Sequence, residues 1–203
     1  MNKMRCIVAA AALIASGTVA AGAPWTFVDL GYVTGDSGDE KSMGAALRGS
    51  LGFAKIWHVG LGVSSFEDDG GKGKGPPNNP GSDNTGVNVF VGLHPALTSN
   101  TDLVLDLGYT SVEVDDGSTK DDINGIYLRA GPRAMIGEKF EISGYLVGTV
   151  GQDKTQTGQP DFTSVGLQVG GAYYFTPAVS LGADGELEGS EDIVNIYVRW
   201  SFK

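Results

Sequence analysis

After residue 24, apolar residues alternate with polar or small residues along almost the whole chain. This is the period of a β-strand whose two faces meet different surroundings. The predicted strands cover residues 25–35, 44–55, 58–68, 85–95, 102–114, 123–136, 139–151, 162–175, 179–188 and 193–202. No segment with a helical period competes, so the sequence predicts an all-β protein.

The connections between these segments alternate in length and composition. Four are tight turns, at 56–57, 95–101, 138–139 and 177–178, and five are polar loops, at 36–43, 70–84, 115–122, 153–161 and 189–192. Short turns on one side and longer loops on the other are typical of an up-and-down barrel that crosses a bilayer, and each segment, at ~10–14 residues, is long enough for a tilted strand, which needs ~9–11. We therefore predict a transmembrane antiparallel up-and-down β-barrel, with ten strands counted and eight as the alternative.

The first residues have the three-part pattern of a secretory signal peptide. Lys3 and Arg5 precede a short apolar run at 7–15, and small residues follow at 18–23. Cleavage after Ala21 divides the chain into a signal peptide at 1–21 and a barrel domain at 22–203. The single cysteine, Cys6, lies in the removed part, so the exported chain is expected to carry no thiol.

The charge balance is strongly acidic, with 24 Asp and Glu against 14 Lys and Arg. Nucleic-acid binding depends on Lys and Arg that neutralise phosphates, so we expect no nucleic-acid partner. Beyond the N-terminus no apolar run reaches the ~20 residues of a transmembrane helix.

The composition of the two strand faces predicts which one points outward. The polar face carries Gly, Ser, Thr, Tyr and Arg, whereas most Lys residues lie in loops and turns, so the polar face suits a crowded lumen and the apolar face suits lipid. Aromatic residues at the segment ends fit the girdle that such barrels place at the membrane interface: Trp25, Phe53, Trp57, Phe140, Tyr173, Phe175, Trp200 and Phe202. The alternative is a soluble periplasmic ligand-binding β-barrel or sandwich.

Charged residues at inward positions form a pattern of their own. Strands that run in one direction carry acids and their neighbours carry arginines, which together are Asp29, Asp106, Glu141, Asp184 and Glu186 against Arg48, Arg129, Arg133 and Arg199. Barrel closure would bring Asp29 near Arg199; Asp106 would meet Arg129 or Arg133, and Asp184 would reach Arg199. Because unpaired buried charges are strongly disfavoured, we interpret this network as a salt-bridged plug, with a narrow porin-like channel as the alternative.

Motifs that resemble catalytic or metal sites lack their required context. The string Gly35-Asp36-Ser37-Gly38-Asp39 resembles a serine-protease motif, but His58 and His94 fall at turns on the opposite side of the barrel. Two histidines without cysteines do not make a zinc site, and the acidic loop at 115–122 lacks EF-hand spacing. We therefore expect no enzymatic activity, cofactor or metal.

The signal peptide, the alternating hairpins and the C-terminal strand resemble the small outer-membrane β-barrel families of the OmpA, OmpX and Ail kind. In those families a final aromatic-rich strand that ends in Phe is read by the barrel-assembly machinery, which implies that role for Tyr197, Trp200 and Phe202; here Lys203 follows the Phe. The expected function is a structural, adhesion or envelope role in the outer membrane. Lipid, lipopolysaccharide and an extracellular partner reached through the loops would be its contacts.

Overall fold

A computed structural model describes residues 23–37, 40–69, 83–115, 120–153, 162–188 and 191–202. The strands in chain order are β1 (Phe27–Ser37), β2 (Glu40–Phe53), β3 (Trp57–Asp69), β4 (Asp83–Leu93), β5 (Thr101–Asp115), β6 (Lys120–Ile136), β7 (Phe140–Asp153), β8 (Phe162–Thr176), β9 (Val179–Glu188) and β10 (Glu191–Ser201). In this part of the chain no helix is long and apolar enough to cross a membrane. The predicted signal peptide at 1–21 lies outside the described residues and stays a prediction.

The ten strands form one closed antiparallel barrel in which every strand pairs with its neighbours in the chain. The barrel closes where β1 pairs with β10, from Phe27 opposite Ser201 to Asp36 opposite Asp192. The prediction of a ten-stranded up-and-down barrel is confirmed, and the alternative of eight strands is wrong.

Several strands extend beyond the predicted bounds into segments that the sequence assigned to polar loops. β2 begins at Glu40 rather than at 44 and β6 at Lys120 rather than at 123, because their hairpins stay paired as far as Ser37 opposite Glu40 and Asp115 opposite Lys120. Backbone ladder bonds do not need apolar side chains, so the alternation marks only the part of each strand that has one apolar face. The predicted loops at 36–43 and 115–122 were too long.

The outer surface of the barrel carries a belt of exposed aliphatic side chains. Val165 is 72% exposed, Leu146 63% and Ile126 58%, and comparable residues occur on every strand. Soluble monomers rarely expose apolar patches larger than a few hundred Å². The apolar face therefore points outward, and the polar face lines the lumen.

Inside the barrel, aromatic rings lie flat against glycines of the adjacent strand. Tyr127 on β6 covers Gly108 on β5, and Tyr197 on β10 covers Gly182 on β9, so closely that a Cβ on either glycine would overlap the ring. Aromatic coverage of this kind compensates for the missing side chain of glycine in a strand. These pairs narrow the lumen from its wall.

The two ends of the barrel differ. One end, called the short-turn end below, carries the turns at 54–56, 94–100, 137–139 and 177–178. At the other, called the loop end, the odd-numbered strands end, at Ser37, Asp69, Asp115, Asp153 and Glu188. The turn between β2 and β3 places Ala54 and Lys55 in the left-handed region, with φ of 48° and 66°. Non-glycine residues are disfavoured there, so this turn is locally strained.

Candidate functional site

Four buried charged residues in the lumen form a continuous set of ion pairs. Arg133 donates to both oxygens of Glu141, from Nε at 2.9 Å and from Nη2 at 2.8 Å. Glu141 Oε1 also accepts from Arg199 Nη1 at 3.1 Å, and Arg199 donates two bonds to Asp29 at 2.7 and 3.0 Å. All four residues are at most 5% exposed. They are called the ion-pair layer below, and their bidentate geometry is the strong form of an Arg–carboxylate contact.

Arg48 extends this layer toward the loop end. Its guanidinium bonds to Asp29 Oδ2 and to Asp184 Oδ1, both at 3.0 Å. Asn195 Nδ2 donates to Asp184 Oδ2 at 3.1 Å. The extended set holds three arginines and three carboxylates in alternation, so its formal charges cancel.

A second group of polar residues lies on the β3–β8 side of the lumen. Arg129 donates from Nε to Asp106 Oδ2 at 2.8 Å and from Nη1 to Gln168 at 3.2 Å. The other oxygen of Asp106, a residue with no solvent exposure, lies 2.8 Å from His58 Nε2. Glu186 is the register partner of Gln168, which places it beside this group on β9.

Aromatic rings cover all four guanidinium groups closely, and Arg133 Cζ lies 4.5 Å from the ring centroid of Trp25. The distances from Cζ to the ring centroid are 3.9 Å for Arg199 over Phe27, and 4.9 Å for both Arg48 over Tyr197 and Arg129 over Tyr145. Each guanidinium therefore meets carboxylate at its edge and an aromatic surface on its face, which restricts its rotamers.

The pairs expected from the sequence are present in part. Asp29 contacts Arg199, and Asp106 contacts Arg129 rather than Arg133. Arg133 lies four residues nearer the short-turn end, opposite Ser143 of β7, from where its guanidinium reaches Glu141.

The expected contact between Asp184 and Arg199 is replaced by another. Asp184 is the register partner of Asn195, whereas Arg199 faces Ser180, four residues away on β9. Asp184 bonds instead across the lumen to Arg48 of β2. The alternation of charges could be read from the sequence, but the partner choice depended on the register.

The prediction that Trp25 belongs to an outer aromatic girdle was wrong. Its ring stacks on His94, with centroids 4.1 Å apart and planes at 11°, and lies 4.6 Å from His58. Its Nε1 donates to Asp102 Oδ2 at 3.1 Å. Trp25 has the same odd-numbered phase as inward-facing Phe27, and this phase is the signal that could have placed it inside.

The two histidines, which the sequence analysis assigned to turns without a role, lie at the short-turn end as expected but are buried. Their ring centroids are 5.4 Å apart. Burial and the neighbouring His58 lower the pKa of His94 below its ordinary value of 6.5, and Asp102 offsets only part of this effect. Among the residues that the structure describes, no three His, Cys, Asp or Glu side chains come together as a metal site.

The remaining candidate residues of the sequence analysis lie apart from these groups. Tyr197 is buried in the lumen, whereas Trp200 and Phe202 are exposed on the outer face. Their role as an assembly signal stays a prediction. Ser37 of the protease-like string ends β1 at the loop end, at the opposite end of the barrel from both histidines.

An outer surface of aliphatic side chains around a lumen of paired charges defines the fold class of the small outer-membrane β-barrels. The comparison with solved structures agrees. A NanC porin matches over 87% of this chain and 99% of its own, at 14% identity and a TM-score of 0.51. The outer membrane protease OmpT from Escherichia coli matches over 88% and 97%, at 12% identity and a TM-score of 0.50.

The attachment invasion locus protein Ail of Yersinia pestis also matches, over 87% of this chain and 96% of its own, at 15% identity and a TM-score of 0.36. No protein-family model and no curated protein matches the sequence. The expected resemblance to small outer-membrane barrels is confirmed at the level of the fold.

Proposed function

We propose that this chain is a bacterial outer-membrane protein whose lumen is closed by paired side chains and whose working surface is the loop end. The exposed aliphatic belt supports the membrane location, because water would disfavour so large an apolar surface. The same belt argues against the alternative of a soluble periplasmic barrel, whose apolar face would be inside.

The ion-pair layer is the observation that most directly supports a closed lumen. Its residues come from β1, β6, β7 and β10, and Tyr174 of β8 donates to Glu141 Oε2 at 2.7 Å, so the layer reaches across the barrel rather than along one wall. Buried pairs with this geometry are costly to break, at about 3–5 kcal/mol when one partner is removed. A barrel of about this size is also near the limit at which side chains fill the interior.

The loop end supports a role in contact with the cell surface. Exposed acids face each other across the strands there, as Glu67 does with Asp83. Like charges directly opposite each other are unfavourable, and bound divalent cations relieve this repulsion. We infer that such cations bridge this rim to the phosphates of lipopolysaccharide, giving an envelope-stabilising or attachment role; the chain is assigned no catalysis and no cofactor.

Conductance of the folded protein in a planar bilayer tests the closed lumen. Folding is verified first by the difference in gel mobility between heated and unheated samples. We expect no reproducible current. Ion-selective steps that change in Arg129→Ala or Arg133→Ala would instead establish the alternative, a narrow diffusion channel lined by the four arginines.

Magnesium-dependent retention of the folded protein on immobilised lipopolysaccharide tests the surface role. We expect retention to fall at least tenfold in the double variant Glu67→Gln/Asp83→Asn and in the presence of a chelator. Glu138→Gln, an exposed acid at the short-turn end, is the matched control and should leave retention unchanged. Equal retention of all three proteins would refute the bridging role.

A further inference from the structure

Residues 23–26, called the strap below, fill the mouth of the barrel at the short-turn end. Ala23 is 3% exposed, although it precedes the first strand. Thr26 anchors the strap to both neighbours of β1: its carbonyl accepts from Phe202 N at 2.9 Å, and its Oγ1 accepts from Gly52 N at 3.2 Å. The chain therefore enters the barrel wall from inside the lumen.

Trp25 holds the strap against the opposite wall. It stacks on His94, which follows β4, and its indole N–H bonds to Asp102 on β5. Both partners lie on the far side of the barrel from β1, since β1 pairs with β2 and β10. The indole thus spans the mouth instead of lying along one strand.

The strap is also bonded to the ion-pair layer. Arg133 Nη2 donates to the carbonyl of Pro24 at 3.1 Å while it holds Glu141 Oε2 at 2.8 Å. The Arg133 guanidinium lies 4.5 Å from the Trp25 ring centroid. One buried arginine therefore receives its position from the strap on one side and from the ion-pair layer on the other.

We propose that the strap is a built-in plug that seals the short-turn mouth and locks the ion-pair layer, and that its release opens the lumen. This inference rests on the closed lumen proposed above, and it adds the way in which that lumen is opened. The strap precedes β1, which begins at Phe27, so the bonds of Thr26 and a few contacts of Pro24 and Trp25 decide whether it is seated. Without it, Arg133 loses both the carbonyl and the indole surface that hold it beside Glu141.

Cysteine labelling measures whether the strap is seated. In a Cys6→Ser background, Ala23→Cys places the single thiol of the chain in the strap, and Leu97→Cys is the control at the same end, where Leu97 is 58% exposed. We expect a polar maleimide to label folded Ala23→Cys at least tenfold more slowly than Leu97→Cys in detergent. Equal rates would overturn the proposal. Labelling also decides the matter if the conductance variant below does not fold.

Conductance measures whether the strap controls the lumen. We expect Trp25→Ala to give intermittent current steps while the unaltered protein stays silent; Trp200→Ala, which removes an outward-facing tryptophan, should stay silent too. A folded but silent Trp25→Ala would overturn the control by the strap and leave the closed lumen standing. Current through the unaltered protein would overturn the closed lumen itself, and with it the strap as a seal.

Discussion

Removal of the Glu141 carboxylate gives the sharpest test of the ion-pair layer. Glu141 accepts four hydrogen bonds, two from Arg133, one from Arg199 and one from Tyr174, in a site that is 5% exposed. In Glu141→Ala, Arg199 keeps both bonds to its other carboxylate partner, so the cost falls mainly on Arg133, which is left charged and buried with one backbone carbonyl. Loss of one partner of a buried pair costs about 3–5 kcal/mol, and we expect a value near the lower limit.

The assay is reversible urea unfolding in lipid vesicles, followed by tryptophan fluorescence, with Glu138→Ala in the exposed turn at 137–139 as the matched control. Glu138→Ala should stay within about 0.5 kcal/mol of the unaltered protein. The double variant Arg133→Met/Glu141→Ala should cost less than the sum of the two single changes, by at least about 1 kcal/mol. The reason is that Arg133→Met removes the buried charge that Glu141→Ala alone leaves without a carboxylate partner. Additive losses, or a loss below about 1 kcal/mol in Glu141→Ala alone, would refute the reasoning.

Three further predictions use the same unfolding assay. Gly182→Ala should cost about 1–3 kcal/mol, because the new Cβ would displace the ring that covers this glycine. Gly148→Ala is the control and should be nearly neutral, because nothing lies within 4 Å of the new Cβ. Similar losses of stability at both sites would contradict this reasoning. Replacing the left-handed turn residues, Ala54→Asn with Lys55→Gly, should stabilise the barrel by about 1 kcal/mol, and a loss of stability would count against strain at this turn. Because the pKa of His94 is lowered in the folded state, its contribution to stability should be full above about pH 6.5 and should be lost as the pH falls below that value. His94→Asn should reduce this loss of stability in acid. An unchanged dependence of stability on pH would exclude His94 as its source.

The fold could be predicted because alternation, turn spacing and strand count are local properties of the sequence. Each hairpin in an up-and-down barrel pairs neighbours in the chain, so no long-range choice was needed except closure of β1 on β10. Strand ends were less predictable. The ladders of β2 and β6 continue through polar residues, where backbone pairing persists without an apolar face.

The types of residue that line the lumen could be predicted from the sequence, but the partner of each charged residue could not. Inward charges of opposite sign on adjacent strands were visible in the sequence, and the contact of Asp29 with Arg199 follows from closure. The contact between Arg48 and Asp184 joins β2 to β9 across two intervening strands, and no local pattern specifies it. Trp25 was wrongly assigned to the outer girdle because it lies at the end of a predicted strand, where girdle residues are expected. Its odd-numbered position, which has the inward phase of Phe27, was the better indicator.

The contacts that the sequence could not specify explain why this lumen is built from arginine and acid rather than from aliphatic residues. Arg199 reaches from β10 to Glu141 on β7, and Arg129 reaches from β6 to Gln168 on β8, so each long side chain joins strands that share no backbone ladder. Directional bonds between strands that are not neighbours restrain the shape of the barrel. Aliphatic contacts would fill the same space but would restrain it less firmly. Because the aliphatic side chains point outward, the polar bonds of the lumen define a single interior arrangement. A hydrophobic core has that role in a soluble protein. Loss of one member should therefore loosen the strands that this side chain joined, and the strap, held by Arg133, is the only described segment outside the strands bonded directly into the ion-pair layer.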